Sequence, residues 1–600
     1  MADYKAPLRD IRFVRDEIFD FNTLYTKING GEDATPDMVD AILDEIGRFA
    51  EQEIAPTNVT GDREGCKLGE DGVIAPSGFK EVYQKFVEGG WPSLSADPEF
   101  GGQGLPVSLG MTVSEIVGQA NWSWGMYPGL SHGAKHLLEA HGSTEQKDTF
   151  LPRMVSGEWT GTMCLTEPHC GSDLGLLRTK AEANADGSYS ITGTKIFISA
   201  GDHDMADNII HLVLARVPGS PAGTKGISIF VVPKNNLDDS GNVAERNAVS
   251  CGALEHKMGI HGNATCVMNF DGAKGFLIGE QNKGLSYMFT MMNSARIGTA
   301  FQGLAHSELA IQHATEYARD RLQMRSLSGK KNPDGPADPI IVHPDVRRML
   351  LTIKSLTEGM RMMGYHMAYN ADIVSDGKDE EERKVADDLL SILTPIGKAF
   401  MTEVGCEAAS LGVQVFGGHG YTAEWPAEQN MRDCRISTIY EGTTGIQGLD
   451  LLGRKVLGSG GELLKPLTKE IYVFAKENLE NETIGGYSVK LQELTKEWGE
   501  LTMHIGMLAM ENPEEVGAAS VDYLMYAGYV CMAYYWAQMA KTAAEKLAAG
   551  TSETAFYEAK LHTAKFYFAR ILPRTITLAA TMKAPLDTLM DMAEEQFVIS

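Results

Sequence analysis

Glu441 has the sequence surroundings of a general base. It follows Ile439 and Tyr440 and precedes a glycine and two threonines, within the run from Arg432 to Gln447. Apolar neighbours desolvate a carboxylate, which disfavours its charged form and makes it a stronger base. Such a base can take a proton from carbon when nearby groups stabilise the enolate and an electron acceptor is present. The rest of the chain must supply both.

The run from Met163 to Asp173 is the second candidate for chemistry. Thr166 and Ser172 carry hydroxyls that can hydrogen-bond a ligand, and Gly171 lets the backbone approach one closely. The same residues would also make a polar turn that begins a strand, with Asp173 as its cap. Taken by itself, this run favours neither interpretation.

Helical regions on both sides of a β region must position these two runs. Apolar residues recur at helical spacing before and after the middle of the chain, whereas short β-branched runs such as 209–216 and 226–232 occur between them. The predicted fold is mainly α with a central β domain. The predicted segments are an N-terminal extension (1–36), an N-terminal helical domain (37–162), a middle β domain (163–285), a C-terminal helical bundle with the base (286–457) and an additional helical domain (462–600).

The charge balance excludes several classes of partner. The 600 residues include 80 acidic and 53 basic side chains, which gives a formal charge of -27. Nucleic acid and anionic membranes both need clustered positive charge, so we expect neither as a partner. The N-terminus carries mixed charges and resembles no secretory signal. The uncharged segment 523–540 contains five tyrosines, which favours a buried helix over a membrane span.

The cysteines and histidines do not predict a metal site. Eight cysteines are scattered without the paired spacing of zinc ligands, a pattern typical of reduced thiols in a cytosolic protein. His256, His261 and His419 have no carboxylate or cysteine at ligand spacing. We therefore predict no metal and no disulfide framework, and a cytoplasmic location.

Five motifs occur in the order found in one enzyme family. They are Leu165-Thr166-Glu167-Pro168 with Gly171-Ser172-Asp173, Lys195-Ile196-Phe197-Ile198-Ser199, Tyr317-Ala318 with Arg321, Gln414 to Tyr421, and the run that contains Glu441. Over residues 37–455 the chain resembles the flavin-dependent acyl-CoA dehydrogenases. That resemblance implies an N-terminal helical domain, a β-barrel-like middle domain and a C-terminal helical bundle, here followed by an extra helical domain.

The resemblance implies FAD as the cofactor. Arg321 would meet the FAD pyrophosphate, and the turn from Gln414 to Gly418 would reach the FAD of a neighbouring subunit, which implies a homo-oligomer, most simply a dimer. The chain departs from the family at 197–199, where Phe-Ile-Ser replaces Trp-Ile-Thr, and at 324–325, where Met-Arg replaces Phe-Gly. The residues implied to contact FAD are Met163, Leu165, Thr166, Gly171, Ser172, Phe197, Ser199, Arg321, Gln414, Gly417, Gly418, Thr443 and Gly445.

Ordinary structural roles remain open for single residues. Arg296 and Arg321 could be solvated helix arginines, and Gly417-Gly418 could simply end a helix. Glu441 could be an acidic residue stabilised by a helix N-terminus. All of these explanations together would require five coincidences in the family's order.

The resemblance also implies the reaction. Glu441 would take the α-proton of an acyl-CoA while the β-hydride passes to the flavin N5, leaving a trans-2-enoyl-CoA, and an electron-transfer flavoprotein would accept the electrons. Ser172, Arg296 and Gly442 would contact the substrate. The alternatives are an acyl-CoA oxidase and a non-enzymatic DNA-binding or assembly relative. Residues 461–600 lack the dense Lys/Arg cluster that DNA binding needs.

The acyl group must be inferred from the chain ends. About 145 residues follow the family core, and a further segment precedes it. These ends, together with the run from Ile340 to Leu350, resemble the bacterial family members that act on 3-methylmercaptopropionyl-CoA in dimethylsulfoniopropionate degradation. We therefore expect conversion of 3-(methylthio)propanoyl-CoA to 3-(methylthio)acryloyl-CoA, with short, medium or long acyl-CoAs as the alternative.

Overall fold

The computed structural model describes residues 4–598, which fall into two compact units. One unit comprises residues 4–6 and 33–298, and the other comprises residues 7–32 and 299–598. The helices of the described residues are α1 (Leu8–Arg12), α2 (Phe21–Lys27), α3 (Pro36–Phe49), α4 (Thr57–Glu64), α5 (Phe79–Glu88), α6 (Val107–Ala120), α7 (Trp122–His141), α8 (Thr144–Ser156), α9 (Gly284–Asp320), α10 (Pro344–Asp376), α11 (Glu380–Phe416), α12 (Pro426–Arg435), α13 (Thr444–Leu449), α14 (Lys465–Glu477), α15 (Gly485–Glu511), α16 (Glu514–Ala548), α17 (Thr554–Phe566), α18 (Arg574–Thr581) and α19 (Asp587–Met590).

Within residues 4–598, the strands all lie in the unit that contains residues 33–298. They are β1 (Lys67–Leu68), β2 (Val73–Ile74), β3 (Trp159–Cys164), β4 (Lys180–Ala183), β5 (Tyr189–Ser199), β6 (Asn208–Ala215), β7 (Ser228–Pro233), β8 (Asn235–Leu237), β9 (Val243–Arg246), β10 (Val249–Leu254) and β11 (Thr265–Leu277). Seven of them form one sheet in the order β3-β6-β7-β11-β5-β4, with β10 paired to β11. The seven-stranded sheet thus begins with β3, inside the segment 37–162 that the sequence assigns to helices, and β1 and β2 also lie in that segment.

The sheet of seven strands curls back on itself. The Ala181 amide in β4 donates to the carbonyl of Arg216 (2.9 Å), and the Arg216 amide donates to the carbonyl of Thr179 (2.9 Å). Because Arg216 directly follows β6, these bonds join β4 to the other half of the sheet. The prediction of a β-barrel-like middle region is therefore confirmed.

Strand β6 is buried on both faces, which explains its continuous apolar sequence. Ile210 and Leu212 pack in a core that includes Leu137 and Leu138 of α7. The alternate residue Val213 belongs to a second core inside the curled sheet. One face of β6 thus packs against the helices of this unit, and its other face packs inside the curled sheet.

Long helices build the other unit, and α16 lies at its centre. The tyrosine hydroxyls of α16 find partners: Tyr526 donates to the Leu494 carbonyl (3.2 Å), and Tyr535 lies 2.9 Å from His366 Nδ1. The prediction of a buried helix over 523–540 is confirmed. Among the described residues, only the segment 380–421 is long and apolar enough to cross a membrane, and 78% of its most apolar window is buried within the protein, as in a core helix.

The N-terminal extension packs in this same unit with the last helices. Phe13 makes an edge contact with Phe556 of α17, with ring centroids 5.5 Å apart. Lys560, also on α17, is buried and forms ion pairs with Asp10 and with Glu358 of α10. Residues 7–32 therefore help to hold the additional helical domain, a role that the sequence analysis did not foresee.

Candidate functional site

The run that carries Thr166 leaves β3 and enters a tight turn. The amides of Glu167 and Cys170 each donate to the other's carbonyl, at 2.9 and 3.0 Å. Met163 and Thr166 are half-buried and Leu165 is buried, whereas Gly171 and Ser172 are exposed. The Thr166 carbonyl accepts a hydrogen bond from the Ile196 amide (2.9 Å), which places this run beside β5.

A buried ion pair fixes these two segments to each other. Lys195 Nζ donates to Glu167 Oε1 (2.9 Å) and to the Leu165 carbonyl (2.9 Å), and both side chains are almost fully buried. Burial alone would raise the pKa of Glu167. The Lys195 ammonium and hydrogen bonds from Thr179 and the Arg178 amide outweigh it and lower that pKa to about 2. The carboxylate therefore stays charged.

Both residues of this pair lie within the family motifs of the sequence, but the sequence assigned neither of them a role. A signal was present, because Lys195 occupies an inward-facing position of β5 between the buried residues Ile191 and Ile198. A charged residue at such a position needs a partner. The sequence could have found Lys195 in this way, but not its partner 28 positions earlier.

Phe197 is held in an uncommon backbone conformation. Its φ is 59°, and its side chain is 59% exposed. The register between β5 and β11 shifts here, so β5 carries an extra residue opposite β11. A left-handed conformation is strained for a bulky residue and marks functional sites. The bulge turns a flat aromatic ring to solvent, with the half-buried Ser199 close behind it in the strand.

Glu441 lies in a sharp turn between α12 and α13. Its φ is 57° and that of Gly442 is 90°, so two consecutive residues are left-handed. The Glu441 carbonyl accepts a hydrogen bond from Gln447 Nε2 (3.0 Å), and the Gly442 carbonyl accepts one from Lys398 Nζ (2.6 Å). Glu441 and Gly442 are half-buried. The predicted base thus belongs to a turn that is fixed from two sides.

The residues around this turn are also tied to the helices. The Tyr440 hydroxyl donates to Gln302 Oε1 on α9. Thr443 is exposed and caps α13, because its hydroxyl accepts from the Ile446 amide (3.4 Å). Gly445 follows within the first turn of α13 and is half-buried.

Arg321 and the turn after α11 are linked through an aromatic cluster. Tyr317, one turn before Arg321, lies 3.0 Å from His419 Nδ1 through its hydroxyl. Its ring stacks on Phe416 with centroids 4.3 Å apart. Arg321 itself is exposed, and so are Gln414, Gly417 and Gly418. These four predicted contact residues therefore face solvent in the single chain.

Arg296 is not a solvated helix arginine. It is 6% exposed on α9, and its guanidinium lies over the Phe289 ring at 5.9 Å from the centroid. Its Nη1 donates to Asn293 Oδ1 (3.5 Å). The interpretation of Arg296 as a solvated arginine is therefore wrong. Arg321 is exposed, so it fits both a solvated arginine and a residue that binds the FAD pyrophosphate.

One group of potential metal ligands occurs in the Thr166 run. Ligand atoms of Glu167, His169 and Cys170 lie within 4.8 Å of one another. The Glu167 oxygens already accept bonds from Lys195, Thr179 and Arg178, and His169 Nε2 lies 2.9 Å from the Leu176 carbonyl. We assign no metal to this group, because these ligand atoms already form hydrogen bonds within the protein. The eight cysteines are free thiols in the structure.

Family models match four consecutive segments of the chain. Residues 36–158, 162–273 and 282–457 match the N-terminal, middle and C-terminal domains of acyl-CoA dehydrogenase, and residues 467–593 match an acetyl-CoA dehydrogenase C-terminal-like domain. The chain belongs to the acyl-CoA dehydrogenase family. It is therefore an oxidoreductase, as the sequence predicted.

Near full-length relatives support this assignment. A 3-methylmercaptopropionyl-CoA dehydrogenase of Ruegeria pomeroyi is 42% identical over 574 residues, which cover 95% of this chain and 96% of the relative. A butyryl-CoA dehydrogenase of Syntrophomonas wolfei is 33% identical over 613 residues, or 99% of each chain. A solved acyl-CoA dehydrogenase from Bacillus anthracis, complexed with FAD, shares the fold with a TM-score of 0.74 and 20% identity, covering 93% of this chain and 90% of that one.

The residues of this family member fit FAD, whose prediction is confirmed at the level of the family. An isoalloxazine ring needs a flat apolar surface beside hydrogen-bonding groups, and the exposed Phe197 ring lies in the same strand as the Ser199 hydroxyl. Thr166 is tied to that strand through the Ile196 amide. A side chain added at Gly417 or Gly418 would meet open space, so their backbone is accessible to a ligand.

Proposed function

We propose that this acyl-CoA dehydrogenase removes two hydrogens across Cα–Cβ of a short acyl-CoA, with Glu441 as the base. The observation that carries the proposal is the left-handed turn at Glu441 and Gly442, because a strained acidic residue in a turn that two hydrogen bonds hold is typical of a site prepared for chemistry. The carboxylate takes the α-proton, and the Glu441 backbone N–H donates to the thioester oxygen, where negative charge develops.

The cofactor residues follow the predicted assignments. Thr166, Phe197 and Ser199 would hold the ring of FAD, and the family resemblance assigns Arg321 to its pyrophosphate. Met163, Leu165, Gly171, Ser172, Thr443 and Gly445 would be the further contact residues that the family resemblance implies. The chemistry that FAD supplies when bound is acceptance of the β-hydride at N5, which leaves a trans-2-enoyl-CoA.

We propose 3-(methylthio)propanoyl-CoA as the substrate and 3-(methylthio)acryloyl-CoA as the product. The support is the 42% identity with the Ruegeria pomeroyi relative over nearly the whole of both chains. Arg296, Ser172 and Gly442 would contact the substrate. The buried guanidinium of Arg296 suits a phosphate or carbonyl group of CoA, since arginine binds such groups through charge-assisted bonds.

We propose that the enzyme is a cytoplasmic homodimer that passes electrons to an electron-transfer flavoprotein. Support for the dimer comes from Gln414, Gly417 and Gly418, which the family resemblance assigns to the FAD of a second subunit and which are exposed in the single chain. Sedimentation measurements on the FAD-loaded protein would give the oligomeric state.

A panel of acyl-CoA substrates with a dye acceptor tests the substrate. The panel contains 3-(methylthio)propanoyl-CoA, its straight-chain isostere pentanoyl-CoA, butanoyl-CoA and a long-chain acyl-CoA. We expect the highest kcat/KM for the methylthio substrate. A higher value for butanoyl-CoA would instead assign the enzyme to straight short chains, as in the Syntrophomonas wolfei relative. Fast reoxidation by oxygen in place of the dye would indicate an oxidase.

A further inference from the structure

The left-handed backbone conformation of Glu441 needs external support. Glu441 and Gly442 both have positive φ, and a residue with a Cβ is disfavoured there. The turn lies outside α12 and α13, so the regular hydrogen bonds of those helices do not hold it. The side chains that bond its carbonyls therefore determine where the Glu441 carboxylate and N–H point.

Two buried side chains provide those bonds. Lys398 comes from the middle of α11 and donates to the Gly442 carbonyl, and Gln447 comes from α13 and donates to the Glu441 carbonyl. Both are fully buried. The Gln447 Oε1 atom has no hydrogen-bond partner among residues 4–598, so the amide is used in this fold for its N–H donors. An added Cβ at Gly442 would lie 2.6 Å from Gln447 Nε2, which shows how close the contact is.

These bonds fix consecutive peptide planes. Gln447 holds the peptide that follows Glu441, and Lys398 holds the next one. On the other side, the Tyr440 side chain is anchored to Gln302. With the two following planes held and the preceding side chain anchored, the Glu441 backbone retains its left-handed angle, which sets the direction of its side chain and N–H.

We propose that Lys398 and Gln447 are positioning residues for the proton transfer by Glu441. They act through the Glu441 backbone, by aiming its carboxylate at the α-proton and its N–H at the thioester oxygen. This inference rests on the proposed function. Small displacements of a catalytic group reduce rates strongly, so loss of either donor should lower kcat about 10- to 100-fold.

The test compares Lys398→Met and Gln447→Met, which keep the length of each side chain and remove the donor. Lys455→Met is the matched control, because Lys455 Nζ also donates a hydrogen bond to α11, at Ser391 Oγ (2.6 Å), without touching the turn. All proteins are studied loaded with FAD. The readouts are FAD content, kcat and KM, and the enolate absorbance of bound acetoacetyl-CoA, which requires no turnover.

We expect both variants to retain FAD and to keep a KM within about twofold of the wild type. Their kcat should fall about 10- to 100-fold. The fraction of bound acetoacetyl-CoA present as enolate should fall about tenfold, because the N–H donor no longer meets the oxygen. The control should match the wild type. Wild-type enolisation in both variants, or an equal loss in the control, would overturn the proposal.

The Gln447→Met variant distinguishes a loss of positioning from a folding defect. If Lys398→Met does not retain FAD, Gln447→Met alone decides, because it leaves the buried lysine in place. The wild type distinguishes a failure of the proposed function from a failure of the positioning role. A wild-type enzyme that neither oxidises acyl-CoA nor enolises acetoacetyl-CoA would contradict the proposed function, whereas an active wild type with active variants would contradict only the positioning role.

Discussion

Lys195 Nζ lies 2.9 Å from Glu167 Oε1 and 2.9 Å from the Leu165 carbonyl oxygen, so one buried ammonium joins β5 to the run that carries Thr166. Removal of one partner from a buried pair leaves an uncompensated charge in the interior. The predicted ring-binding residues Thr166 and Phe197 lie on the two segments that this pair connects. Both the stability of the protein and its retention of FAD should therefore depend on this ion pair.

Lys195→Met should lower the free energy of unfolding by about 3–5 kcal/mol and weaken FAD retention. Urea denaturation followed by circular dichroism and by FAD fluorescence measures both effects. Lys274→Met is the control, because the ion pair of Lys274 with Asp186 is solvent-exposed and should contribute far less to stability. Equal effects of the two substitutions would contradict the assigned role of Lys195.

The Glu167 pKa makes this contribution depend on pH. The ordinary value is 4.5 and the folded value is about 2, so the stabilisation is complete above pH 4.5 and is lost as the pH falls toward 2. The difference in unfolding free energy between wild type and Lys195→Met should shrink over that interval. Denaturation series at pH 7, 4.5 and 3 measure it, and a constant difference would show that Glu167 is not the titrating partner.

Phe197→Gly should have opposite effects on stability and on cofactor binding. Glycine relieves the left-handed strain of order 1–3 kcal/mol but adds freedom to the unfolded chain, and the exposed ring loses little burial. The FAD-free protein should thus be as stable as the wild type or up to about 1 kcal/mol more stable. FAD should bind more weakly, since the flat contact surface is gone. Titration calorimetry and thermal melts separate the two, and undiminished affinity would remove Phe197 from the cofactor site.

The N-terminal extension should stabilise the unit that contains the last helices. Phe13 is fully buried against Phe556, so Phe13→Ala should cost about 3–5 kcal/mol. The exposed Phe597→Ala is the control and should change little. Limited proteolysis within 462–598 reports on this unit directly. Unchanged protection in Phe13→Ala would show that the extension is dispensable for the additional domain.

The sequence predicted those features that repeat along the chain or have a fixed local spacing. The uncharged composition of 523–540 predicted the buried part of α16, and β-branched runs located β6 and β7. Both signals are local, because they reflect one face or both faces of an element against a core. The loop at 326–344 was also predictable, and the structure shows it held by Asp338, which accepts bonds from Arg325 and from several backbone amides.

The sequence could not predict which distant side chains support the site. Lys398 lies 44 positions before Gly442, and its role depends on where α11 passes the turn. The left-handed angle of Phe197 has no sequence signal either, because nothing in the residue type favours it. The N-terminal extension looked separate from the core since its partners, among them Phe556 and Lys560, lie more than 500 residues away.

The role of Glu441 as the base is the central claim. Glu441→Gln keeps the size of the side chain and its turn but removes the basic oxygen. FAD content should match the wild type, and flavin reduction by 3-(methylthio)propanoyl-CoA should slow by at least about 10²–10⁴-fold. Glu428→Gln is the matched control, because that glutamate pairs with Arg432 on neighbouring α12 and has no assigned role in the reaction.

Anaerobic stopped-flow reduction of the bound flavin in wild type and Glu441→Gln is the most direct measurement. It observes a single half-reaction, so neither product release nor the electron acceptor affects the result. We predict rapid bleaching in the wild type and in Glu428→Gln, and almost none in Glu441→Gln with FAD fully bound. Bleaching of Glu441→Gln at the wild-type rate would show that another group takes the α-proton.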